Sequence, residues 1–283
     1  MRTLRRHRSG RSPAVRWELQ RLSHLARGTN DRFTRPHLHF WADTADGVRL
    51  AGTLLGSPQT SKTAIVLVHG FMGYRQKRPW RFLAESLSKH FAVLTFDLRG
   101  HGQSTGACSG GQFEHLDVQA VVDNARARGF ERVITVGGSL GGIAVLSHAA
   151  LGSGIDAVVA ISTPARWGAS DTKAVRRATW LFLSPMGRAL ARRLMGTTID
   201  LVWGNPAPPL ELIERISPTP VLLIHGADDH FFAASEAELL YERAREPKRL
   251  VIVPRFGHAE DGFTAAFAEQ LSQEISTLVP HKA

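Results

Sequence analysis

The chain has 283 residues, 43% hydrophobic and 21% charged, enough apolar material for one sizeable core or at most two domains. No apolar run approaches the roughly 18 residues that span a bilayer. A single cysteine, Cys108, excludes an intramolecular disulfide and any four-cysteine metal site. The net charge of +10 points towards nucleic acid or an anionic membrane until it is located along the chain. Residues 1–36 carry ten arginines against Glu18 and Asp31, a net of +8. Residues 165–196 carry seven basic side chains against Asp171, a net of +6, which leaves −4 for everything else. The body of the protein is therefore not basic, and no nucleic-acid partner is expected.

Taken in order, residues 1–36 form a basic arm. Ser12-Pro13 marks a helix start and Gly28 a stop, with Val15, Leu19, Leu22 and Leu25 on one face. This reads as a helix packed on the main domain behind an arginine-rich tip. A peripheral contact with an anionic membrane and a transit peptide are the alternatives. No apolar stretch follows the arginines as it would in a secretory signal, so the expected location is cytoplasmic, at the membrane periphery if the arm engages lipid.

From His37 the pattern changes. His37–Ala42 and Val48–Leu55 read as strands joined at Asp46-Gly47, a hairpin signal. Apolar strands then alternate with helices: strand 64–68, helix 79–89, strand 92–96, helix 114–128, strand 132–136, helix 140–151 and strand 155–161. The alternation resumes with strand 220–224, helix 235–245, strand 250–253 and helix 262–278. This predicts a doubly wound, mostly parallel α/β sheet with an N-terminal antiparallel hairpin, built from 37–161 and 218–283. Residues 162–217, rich in Trp, Phe, Leu and Met but lacking a strand, read as a small helical lid inserted over the sheet edge.

In such sheets the chemistry lies beyond the carboxyl ends of the strands. Strand 132–136 runs into Gly137-Gly-Ser-Leu-Gly141, a G-x-S-x-G between strand and helix that holds a serine oxygen proud of the backbone. Alone, the pattern also fits an ordinary glycine-rich turn. A dinucleotide fingerprint is absent here, since Ser139 stands where the second glycine belongs, and no P-loop occurs. A serine hydroxyl needs a base and a group to orient that base. Strand 220–224 is followed by His225-Gly-Ala-Asp-Asp229-His230, and strand 250–253 by Pro254-Arg-Phe-Gly-His258. These offer acid and base at successive strand ends.

With those residues in view, the chain from about His37 onward resembles the α/β-hydrolase superfamily, in its branch of small lidded serine hydrolases of esterase or lipase type. Val68-His69-Gly70-Phe71 resembles the family's H-G-x oxyanion loop, and Asp97-Leu-Arg-Gly-His-Gly-Gln-Ser104 its D-x-R-G-x-G-x-S loop. His225-Gly226-x-x-Asp229 resembles its acid loop and Gly257-His258 its terminal G-H. The resemblance implies Ser139 as nucleophile, His258 as base and Asp229 as acid, with Asp228 the fallback. It implies an oxyanion hole from the backbone N–H groups of Phe71 and Leu140, supported by His69, Gly70, Gly137 and Gly141, with neither metal nor organic cofactor. Asp97 and His101 then shape their loop without performing chemistry. One departure stands after the acid: the family often has proline-x-valine-proline, whereas this chain has His230-Phe-Phe-Ala233, which allows His230 to face the pocket.

The implied activity is hydrolysis of a small-molecule carboxylic ester through an acyl-enzyme. Thioesterases, cofactor-free haloperoxidases or perhydrolases, C–C hydrolases and aminopeptidases of this fold share the same residues, and a non-catalytic binding scaffold is the alternative outside enzymes. Dehalogenases and epoxide hydrolases need a carboxylate where Ser139 stands. Within 162–217, Trp167, Trp180, Phe182 and Met186 are the expected lining of an apolar substrate pocket, with ordinary helix packing as the alternative. Arg188 and Arg192 lie on a different face from Met186, Leu190 and Leu194, read as a solvated basic face or as an attractor of anionic substrate or lipid.

Overall fold

A computed structural model describes residues 32–279, so the helix expected between Ser12 and Gly28 lies outside the described residues. Strands β1 (His37–Asp43) and β2 (Arg49–Leu55) form an antiparallel hairpin. It turns at Gly47, whose φ of +81° is the conformation glycine adopts at no steric cost. Then come β3 (Thr63–Val68), α1 (Arg78–Leu87), β4 (Ala92–Phe96), α2 (Glu114–Ala127), β5 (Arg132–Gly138), α3 (Leu140–Leu151) and β6 (Ala157–Ile161). After a helical stretch follow β7 (Val221–Gly226), α7 (Ser235–Arg243), β8 (Lys248–Val253) and α8 (Ala265–Leu278).

The strands form one eight-stranded sheet in the order β1-β2-β4-β3-β5-β6-β7-β8. β2 runs antiparallel to β1 and β4, and every pairing beyond β4 is parallel. The central strands are apolar on both faces because helices cover both. Val66 and Val68 of β3 point into a core with α2 and α3, whereas Ile65 and Leu67 point into a second core with α1 and α8. Every parallel strand thus delivers its carboxyl end to the same edge of the sheet.

Between β6 and β7 lie α4 (Lys173–Leu183), α5 (Pro185–Met195), a single turn α6 (Pro209–Leu212) and a 3-10 turn at Ile213–Ile216. α4 and α5 make a tight hairpin in which Ser184 ends the first helix and caps the second, its Oγ accepting from the Gly187 N–H at 2.9 Å. Beyond α5 the chain pairs with the loop after β4, where the Cys108 N–H donates to the Thr198 carbonyl at 2.8 Å.

Candidate active site

The turn from β5 into α3 is forced by steric demands that only glycine meets. A Cβ at Gly137 would collide with the Gly141 carbonyl, and one at Gly141 would lie 2.6 Å from the His69 carbonyl oxygen. Between them Ser139 is held at φ +55°, ψ −120°, an unfavourable conformation for a side-chain-bearing residue, with its N–H tied to the Ile161 carbonyl at 2.9 Å. The serine thus sits at the amino end of α3, where the helix dipole favours negative charge.

The loop after β3 backs onto this turn: a Cβ at Gly70 would lie 3.3 Å from both the Gly138 oxygen and the Ser139 Cβ. Two buried histidines shape it. The Leu98 N–H donates to His69 Nε2 at 3.0 Å, so Nδ1 carries the proton and donates to the Gly70 carbonyl at 2.8 Å. The Met72 N–H donates to His101 Nε2 at 3.2 Å, and His101 Nδ1 donates to the Arg99 carbonyl at 2.9 Å. Burial pushes both imidazoles down, His69 well below its ordinary value, which keeps them neutral. Asp97 lies deeper, its carboxylate taken by the Arg75 guanidinium and the Arg75 and Gln103 N–H groups. Asp97 and His101 are loop-building groups. Among the described residues, neither the Phe71 nor the Leu140 N–H donates a hydrogen bond.

At the far strands, Asp229 and Asp228 part company. Asp228 is exposed. The Asp229 side chain is fully buried, accepts from the Phe231 and Phe232 N–H groups at 2.8 and 3.1 Å, and takes His258 Nδ1 at 2.8 Å on Oδ2. Burial alone pushes the Asp229 carboxyl up; the His258 contact and the two N–H donors outweigh it and hold it below the ordinary value. The His258 ring lies against Phe231 at 4.3 Å between centroids. His230 flanks it at 6.3 Å but is exposed, its Nδ1 3.8 Å from Asp261 Oδ2. Ser139 Oγ makes no hydrogen bond to His258 among the described residues. Their chain neighbours meet: the Ala259 Cβ is 3.3 Å from where a Gly138 Cβ would stand, and the Ala259 N–H donates to Ser162 Oγ at 3.0 Å.

A family model of the alpha/beta hydrolase fold matches residues 63–192. The Rv2307c protein of Mycobacterium tuberculosis strain H37Rv is 31% identical over 228 residues, covering 76% of this chain and 70% of that one. The chain belongs to the α/β-hydrolase superfamily. YfhR of Escherichia coli K12 is 29% identical over 225 residues, 76% of this chain and 71% of its own. Among solved structures, the Pyrococcus furiosus esterase Pf2001 superposes with a TM-score of 0.68 at 21% identity, covering 89% of this chain and 94% of that one. A hydrolase from Pseudomonas aeruginosa superposes with a TM-score of 0.63 at 23% identity, covering 86% and 98%.

For this α/β-hydrolase, the expected pocket residues divide. Phe182 packs against Phe71 at 5.9 Å, whereas Trp167 packs against Trp203 at 5.5 Å, its Nε1 donating to the Pro206 carbonyl. Trp180 and Met186 stand on the outer faces of α4 and α5, Met186 being 70% exposed. Several supporting residues carry no sequence signal. Trp80 and Lys77 both donate to Glu260, two positions after His258. Only the nearness of Glu260 to Gly257-His258 hints at its role. Among the described residues no group of His, Cys, Asp and Glu is arranged to hold a metal ion.

Proposed function

We propose that this hydrolase is a serine enzyme that cleaves carboxylic esters through an acyl-enzyme, with Ser139 as nucleophile, His258 as base and Asp229 as acid. The observation that carries the reading is the hydrogen bond from His258 Nδ1 to the buried Asp229 carboxylate, beside a serine strained onto a sharp turn. Asp229 fixes the tautomer in which Nε2 is free to take the Ser139 proton, and it stabilises the imidazolium that follows. The hydroxyl oxygen attacks the ester carbonyl, and the Phe71 and Leu140 N–H groups receive the oxyanion, worth about 3–4 kcal/mol per donor. The imidazolium returns its proton to the leaving alkoxide. Water then repeats the cycle against the acyl-enzyme and releases the acid.

Residues 162–217 act as the lid in this reading through their inner side alone, the outer faces of α4 and α5 taking no part in substrate binding, and Phe71, Trp167 and Phe182 form the apolar wall against which the acyl group lies. The esterase among the fold neighbours supports the hydrolase class. The test is turnover of short p-nitrophenyl esters: the parent hydrolyses them and Ser139→Ala does not. Undiminished turnover in the alanine variant removes Ser139 from the mechanism.

A further inference from the structure

We propose that the outer face of the α4–α5 hairpin is a docking surface for an anionic phospholipid bilayer, which holds the loops of the candidate active site close to the membrane. Eight of the twelve exposed large hydrophobic side chains among the described residues fall between positions 180 and 203. On α4, Trp180 and Leu183 share the outward face; on α5, Met186, Leu190 and Leu194 recur at helical spacing and are likewise exposed. The inward faces are held by Leu181, Gly187 and Ala191, all buried. Large apolar side chains exposed together in this way mark a contact surface.

The charge around them says which partner. Lys173, Arg176 and Arg177 surround Trp180 at a surface recess of about 260 Å³, and on α5 Arg193 stands three residues after Leu190 and seven after Met186, on the same side of the helix. Arg176 pairs with Asp171, whereas Lys173, Arg177, Arg192 and Arg193 make no ion pair among the described residues. Unpaired cations interleaved with Trp, Leu and Met are the composition of a helix lying in the interface of an anionic membrane. A second copy would bring this same +6 segment against itself, and a phosphodiester backbone leaves the leucines and Met186 unburied.

The inner side of the hairpin gives the docking a consequence. Phe182 packs on Phe71 of the loop beside Ser139, and Thr172, the cap of α4, reaches the Phe231 carbonyl at 3.5 Å, next to the ring that covers His258. A hairpin seated on lipid therefore holds both site loops about one helix diameter, roughly 10 Å, from the membrane surface. That the substrate is then a membrane-borne acyl ester rests on the hydrolase reading above; the docking does not.

Co-sedimentation of the full chain with vesicles of equal parts phosphatidylglycerol and phosphatidylcholine tests the surface, with pure phosphatidylcholine vesicles alongside. The chain is expected to sediment with the anionic vesicles alone, and less as salt is added. Lys173→Gln with Arg177→Gln weakens partitioning about thirtyfold, and Leu183→Asp with Leu194→Asp abolishes it. Both double variants keep the parent's turnover of a water-soluble short ester. The docking is overturned by no parent binding, by equal binding to neutral vesicles, or by double variants that bind as the parent does. A parent dimer that the aspartate variant splits overturns it as well. Vesicle binding without any ester hydrolysis breaks the hydrolase reading and leaves the docking; hydrolysis without binding does the reverse.

Discussion

Trp80 Nε1 donates to the carboxylate of Glu260 while the far edge of the same indole lies beneath Gly138, so one side chain braces both the serine turn and the histidine loop. Trp80 is almost fully buried, and Lys77 holds the other oxygen of Glu260 at 2.6 Å. In the proposed mechanism this bracket positions His258 without touching the reacting atoms. Glu260→Gln keeps the size of the side chain but loses the Lys77 ion pair and weakens the indole contact. It is expected to lower kcat about tenfold with KM little changed, because the cost falls on the aim of His258. Steady-state kinetics on a soluble ester checks the split.

The two adjacent aspartates make a second prediction. Asp229→Asn leaves a side chain that can donate to His258 and favours the wrong tautomer, which costs about 10⁴-fold in kcat. Asp228→Asn, at an exposed position one residue away, leaves kcat within about twofold. Equal losses in the two variants remove Asp229 from its role.

Backbone crowding at the turn predicts a stability effect. Gly141→Ala drives a methyl group towards the Val68 and His69 carbonyls, which cannot yield without moving β3. The expected loss is about 3 kcal/mol in urea unfolding. Gly129→Ala meets no atom within 4 Å and carries only the penalty of its φ of +91°, about 1 kcal/mol.

The neutral histidines make stability depend on pH. Burial holds His69 and His101 below the ordinary 6.5, so the unfolded chain takes up their protons first on acidification. Their contribution is present above pH 6.5 and is lost as pH falls below it towards the folded-state values. Unfolding free energy is expected to decline from pH 6.5 downwards. His69→Gln is less stable at neutral pH but shows a shallower decline, as urea titrations at several pH values will reveal.

Much of this architecture is legible from local pattern. Strands buried on both faces write their apolar runs into the sequence, and the glycine at 137 is demanded by a contact with Gly141 only four residues away. The same holds for Ser139, Asp229 and His258, each at a strand end. What is not legible is set by distant packing. β5 continues to Gly138, two residues past its last branched side chain, because it pairs with β6 through Ile161. Trp80 and Glu260 are 180 positions apart and share no periodicity. Trp180 and Met186 look like pocket residues by composition, yet they face outwards because Leu181, Gly187 and Ala191 occupy the inner faces of the hairpin.

The most direct test of the central claim is labelling with a fluorophosphonate probe, read by intact mass and by mapping of the modified peptide. The account predicts a single adduct on Ser139, absent in Ser139→Ala and slowed by orders of magnitude in His258→Ala. An adduct that persists in Ser139→Ala, or a folded chain that hydrolyses esters yet takes no label at Ser139, contradicts it.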